Sequence, residues 1–139
     1  MLVIVAPLTE ELLFRGLILR GLLRHYTART AIIASAVLFG VFHLNPWQFL
    51  GATVLGVLFA WMFVRTGSLH LCIFGHAFAN GVPLIVSVLK VDIVGFTSEL
   101  TGVEFQPLWF DALGLVLSAV GLWRLRRYFV SSLTRFGGQ

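Results

Sequence analysis

The chain has 139 residues, of which 58% are hydrophobic and only 12% charged, with a mean hydropathy of +0.94. A soluble domain carries about 25% charged residues, so this composition excludes an ordinary soluble fold and points to a polytopic helical membrane protein. The net charge of +4 does not signal nucleic acid, because the basic residues punctuate the ends of apolar runs instead of forming a patch, and the single Cys72 leaves no disulfide framework and no cysteine-based metal site.

In chain order, the apolar stretch Leu2–Ala6 is interrupted by Pro7 and reads as the tail of a preceding element. No basic region or small-residue cleavage site marks it as a signal peptide, and the C-terminal Phe136-Gly137-Gly138-Gln139 carries no lipidation motif. Thr9 is placed to cap a helix from Glu10 to His25, with Glu10 and Glu11 in the first turn, where the helix dipole favours negative charge. A second apolar helix is expected over Thr30–Leu44, short for a full span, and is ended by Asn45-Pro46-Trp47. A third runs over Gln48–Val64, closed by Arg65-Thr66-Gly67. A fourth covers Leu69–Leu89, with Gly75, Ala77, Ala79 and Gly81 as small residues that permit close helix approach. Lys90–Gln106 reads as a loop, and Pro107–Trp123 as a fifth helix with a Gly114/Ser118 small pair, ended by Arg124, Arg126 and Arg127.

Arginine placement orients these helices. Arg24 and Arg29 flank the first turn, Arg65 the third, and the C-terminal tail adds more, whereas the second turn has no Lys or Arg and the fourth balances Lys90 against Asp92, Glu99 and Glu104. The alternation follows the positive-inside rule and puts the odd turns and the C-terminus in the cytoplasm. At 1.5 Å per residue, Glu10, Glu11 and His43 then lie about 20 Å, and His76 about 12 Å, from the cytoplasmic helix ends, a shared level inside the bilayer within the error on helix ends.

Ionisable groups at that depth are costly and usually functional. Glu11 and Arg15, at i,i+4, can pair. Glu10 lies about 100° around the helix, so one carboxylate is braced and the other is available as an acid/base. Phe39 and His43 share a face of the second helix, and an imidazole there can act as base, proton shuttle or metal ligand. His76 and Asn80 point the same way within the fourth and can both donate hydrogen bonds, as oxyanion stabilisation requires. His25, His70, Lys90, Asp92, Glu99, Glu104 and Asp111 read as interfacial or solvated, Trp47, Trp61, Trp109 and Trp123 as interfacial anchors, and Cys72 as a packed apolar residue. The set suits water activation and amide hydrolysis. Glu10, His43 and His76 could equally ligate zinc, although the HExxH pattern is absent, and composition does not choose between the two.

The motifs Glu10-Glu11-x-x-x-Arg15, Phe39-x-x-x-His43 and His76-x-x-x-Asn80, with Ala6-Pro7 before the first and Phe14-Arg15-Gly16 closing it, resemble those of the CPBP family, which joins the type II CAAX prenyl endopeptidases to the bacterial Abi proteins. The resemblance covers roughly residues 1–90. It implies an all-helical intramembrane endopeptidase in which Glu10 activates water with help from His43, His76 and Asn80 form the oxyanion hole, and Glu11 and Arg15 give support, with no metal required. Members of the family usually carry several helices before the first motif, and this chain begins nine residues ahead of Glu10. The expectation is one membrane-embedded domain over residues 1–139, an all-α bundle of about five helices. Its partners would be the bilayer and a membrane-associated or prenylated substrate, and its place the plasma (inner) membrane. The alternatives are a catalytically silent immunity or scaffold protein of the same fold and, from the intramembrane charges alone, a proton-coupled transporter.

Overall fold

The computed structural model describes residues 3–90, 108–109, 112–117, 119–121, 123–124 and 127. Every regular element among them is helical, as expected. The chain divides into two compact units, Met1–Ile85 and Val86–Gln139. In the second, residues 112–117 and 119–121 are helical. The rest of the expected fifth helix, and the expected loop beyond Lys90, lie largely outside the described residues.

In the first unit one continuous helical rod comprises α1 (Val5–Glu11), a π-helical segment (Leu12–Leu19) and α2 (Arg20–Leu23). Two expectations are corrected here. The helix begins before Pro7, because a proline in the first turn gives up only an N–H that has no helical partner there. Thr9 is not a cap: its hydroxyl donates back to the carbonyls of Val5 (2.9 Å) and Ala6 (3.1 Å). Glu10 and Glu11 therefore stand inside the rod and not in its first turn. Pro7, Glu11, Arg15 and Leu19, each four residues apart, are all buried. On an α-helix such positions drift by about 40° per step, and the wider i→i+5 turns between Leu12 and Leu19 reduce that drift, so one line of the rod stays turned inward.

Helix α3 (Ala28–Phe42) starts where the Thr27 hydroxyl accepts the Thr30 N–H. It ends at His43, and Leu44 turns the chain with φ of 51°. Asn45 then caps α4 (Pro46–Thr66) by accepting the Trp47 N–H at 3.0 Å, with Pro46 pre-set for the first helical position. Both helices start two residues earlier than the apolar runs alone indicate, because the capping chemistry and not the last apolar residue sets the end. Gly67 closes α4, and α5 (Leu69–Val88) follows almost at once.

Small residues set the α3–α4 crossing. A methyl group on Gly56 would come within 3.0 Å of the Ala36 Cα, and one on Gly40 within 2.9 Å of the Phe49 carbonyl. Ala36/Gly40 and Ala52/Gly56 are thus facing small pairs at i,i+4, which let two backbones approach in lipid. Leu19, Ala31, Phe59, Ala60, Phe63 and Cys72 form one buried cluster and Phe14, Phe39 and Ala52 another. Helices α4 and α5 are each long and apolar enough to cross a membrane, and α3 is shorter. Outward positions are apolar, including Leu17, Leu50, Phe74 and Phe78, each about 70% exposed. Glu11 and Arg15 are fully buried. That is the distribution expected of a bundle solvated by hydrocarbon.

Candidate active site

Each of four helices contributes one stripe to a cavity of about 440 Å³. Helix α1 supplies Ala6 and Glu10, α3 supplies Phe39 and His43, and α5 supplies His76, Ala79, Asn80 and Pro83. The α4 wall is Gln48, Gly51, Ala52 and Leu55. The i,i+4 pairs Phe39/His43 and His76/Asn80 thus converge with Glu10 on one space, each pair on a single helix face.

Behind that wall lies a buried polar chain. Arg15 Nη1 donates to Glu11 Oε1 at 3.0 Å, and Arg15 Nη2 donates to the main-chain carbonyl of Gly56 at 3.0 Å. The same Glu11 oxygen is 2.9 Å from His76 Nδ1. His76 Nε2 is in turn 3.9 Å from Glu10 Oε2. That Glu10 oxygen is buried and makes no hydrogen bond to a described residue. One carboxylate is therefore tied into the protein by a guanidinium and an imidazole, and the other faces the cavity.

Hydrogen-bond roles fix the imidazole protons. A carbonyl only accepts, so His43 Nδ1, 2.9 Å from the Phe39 carbonyl, carries the hydrogen, and in the neutral ring Nε2 is a bare acceptor. A carboxylate paired with Arg15 also accepts, so His76 Nδ1 donates to Glu11. His76 Nε2 is then a donor only when the ring carries both protons.

Two aromatic residues clamp this chain. The Arg15 guanidinium lies 4.7 Å from the centre of the Phe39 ring and 5.6 Å from that of Phe59. The His76 ring stacks on Phe59 at 5.7 Å with 24° between planes and meets Phe39 edge-on at 5.6 Å. Phe59 is nearly inaccessible and holds both a cation and an imidazole, a placement that supplies cation–π attraction in a dry setting. Sequence reading passed over Phe59 and Gly56. The facing Ala36/Gly40 and Ala52/Gly56 spacings are the signal that could have found Gly56. Phe59 is one of 13 phenylalanines and has no such mark. His25 and His70 are exposed and outside the site, and Cys72 is a buried thiol bonded to the Phe59 carbonyl at 3.4 Å.

Among the described residues no three His, Cys, Asp or Glu side chains are grouped to hold one ion. His76 Nδ1 is engaged by Glu11 and His43 Nδ1 by a carbonyl, which fixes both rings and leaves their Nε2 atoms toward the cavity side.

Residues 1–82 match the family model described as "Type II CAAX prenyl endopeptidase Rce1-like". The chain is similar to the "CAAX prenyl protease 2" of Arabidopsis thaliana, at 35% identity over 78% of this chain and 44% of that protein. It is 29% identical to the "CAAX prenyl protease 2" of Homo sapiens, over 63% of this chain and 33% of that protein. YdiL of Bacillus subtilis (strain 168), whose name marks it as a candidate membrane peptidase, is 32% identical over 63% of this chain and 36% of its own length. The chain thus spans between a third and a half of the length of these relatives. No solved structure matches.

Proposed function

The chain belongs to the Rce1-like type II CAAX prenyl endopeptidase family, and we propose that it is an integral membrane endopeptidase that hydrolyses a peptide bond with a Glu10-activated water. The observation that supports this most is the shared cavity of Glu10, His43, His76 and Asn80, backed by the Arg15–Glu11 pair. The Glu10 carboxylate takes one proton from water, while the bare Nε2 of His43 accepts a hydrogen bond from the other O–H, which stays on the attacking oxygen, and orients the attack. As the new C–O bond forms, charge moves to the scissile carbonyl oxygen. His76, through Nε2 when its ring carries both protons, and the Asn80 amide donate to it. Collapse breaks the C–N bond, and Glu10 returns its proton to the departing amine. Glu11 holds His76 in place, and Arg15 supplies the countercharge.

The mechanism routes no step through a metal. The substrate class is a membrane-associated or prenylated protein or peptide, reached from the bilayer. The protein sits in the plasma (inner) membrane with the arginine-rich turns and the C-terminus cytoplasmic. The reading is tested by purified protein in vesicles with a farnesylated CAAX peptide. Cleavage should survive chelation and be lost in His76→Ala and Asn80→Ala. Cleavage that stops with chelator and returns with zinc would replace the mechanism. Wild-type cleavage by both variants, or a protective phenotype that survives them, would favour the silent immunity or scaffold role.

A further inference from the structure

Helix α5 carries a proline at the position whose N–H would close the next helical bond. Each α-helical N–H bonds the carbonyl four residues earlier, so Pro83 leaves the Ala79 carbonyl without its α-helical donor. Within a membrane such an interruption is tolerated where the freed group lines a cavity or meets another polar group. Ala79 and Pro83 both line the cavity that holds Glu10, His76 and Asn80. Ala79 also immediately precedes Asn80, and both line the cavity, so an acceptor and a donor are adjacent along its wall.

An extended peptide presents the complementary pair. In a strand the N–H and C=O of one residue point to the same side and are exchanged together with a partner. A residue whose carbonyl is polarised by His76 and Asn80 therefore turns its own N–H toward the neighbouring wall of α5. We propose that the Ala79 carbonyl accepts this N–H, so that Pro83, by removing the helical competitor, builds a main-chain docking point for substrates in extended conformation. The proposal rests on the peptidase reading for the identity of the ligand. It adds a requirement on that ligand: a free N–H on the residue that supplies the scissile carbonyl.

The test uses the full chain in vesicles with a dansylated farnesyl-CAAX peptide and the same peptide N-methylated at the farnesylcysteine nitrogen. Both binding and cleavage are measured for wild type and Pro83→Ala. Alanine restores an N–H that occupies the Ala79 carbonyl, and it relieves rather than breaks the helix, so Pro83→Ala should melt no lower than wild type. For wild type, N-methylation should weaken binding and raise KM about tenfold, the effect of one hydrogen bond, with kcat little changed. Pro83→Ala should show that same rise with the unmethylated peptide, and methylation should then cost nothing more. Equal binding of the two peptides by wild type, or an undiminished methylation penalty in Pro83→Ala, would overturn the proposal. Methyl-sensitive binding without any cleavage would support the docking point and count against the peptidase reading.

Discussion

Glu11 and Arg15 are fully buried, and each is tolerable only because of the other. Removing one partner of a buried ion pair commonly costs about 3–5 kcal/mol, whereas replacing both by neutral groups is close to neutral. Arg15→Met should therefore lower stability by about that amount. Glu11→Gln/Arg15→Met should regain most of it in a thermal melt, yet remain inactive, since His76 loses its fixed carboxylate. Phe59→Leu separates packing from placement. A volume-conserving core change costs under about 1.5 kcal/mol, so the protein should fold while losing the surface on which His76 stacks. Its kcat should drop about tenfold with KM little altered, an effect of roughly 1.4 kcal/mol on the barrier. An unchanged kcat would show that Phe59 only fills space. At this scale the sequence was most informative where an i,i+4 spacing within one helix made the contact. The Arg15–Glu11 bond is of that kind. The bonds from His76 to Glu11 and from Arg15 to the Gly56 carbonyl join residues 65 and 41 apart, and nothing local encodes them.

The helices themselves were legible as apolar runs, but their ends were not. Pro7 reads as a break because proline usually is one, and only its place in the first turn makes it harmless. The π-helical segment leaves no trace in composition, although the buried series Pro7, Glu11, Arg15 and Leu19 is its footprint. Small residues are more telling than they first seem. Gly56 meets the Ala36 backbone, whereas a methyl on Gly21 would meet nothing. Gly21→Ala should stabilise α2 by about 0.5–1 kcal/mol, because it removes unfolded-state freedom at no steric cost. Gly56→Ala should push α3 from α4, destabilise by about 1–3 kcal/mol and draw the Gly56 carbonyl away from Arg15. Calorimetry of the two variants in detergent decides this: opposite signs support the close crossing, and two stabilised proteins contradict it.

For the whole molecule, the membrane environment was plain from composition, because lipid demands an apolar exterior and concentrates polar groups where they serve a purpose. Orientation rests on the arginines. Arg20 lies over Phe63 at 5.2 Å, which brings the end of α2 beside the end of α4, so Arg20, Arg24, Arg29 and Arg65 gather at one end of the first unit. The two carboxylates within residues 3–90 are both at the site and leave these four arginines without an acidic partner there. With this end cytoplasmic, Tyr26→Cys in a Cys72→Ala background should be labelled by a membrane-impermeant maleimide only in inverted vesicles. Labelling in right-side-out cells would reverse the topology. Glu10 and His76 stand 3.9 Å apart at their nearest polar atoms.

The central claim is a division of labour between adjacent carboxylates, and a paired comparison of Glu10→Gln with Glu11→Gln tests it most directly. Both are measured for peptide cleavage and thermal stability in the same vesicles. Glu10→Gln should lose about 10²–10⁴-fold in kcat, the range for a general base, while melting with the wild type. Glu11→Gln should lose activity and stability together. A Glu10→Gln protein that cleaves at the wild-type rate, or a Glu11→Gln protein that alone is inactive at full stability, would contradict the account.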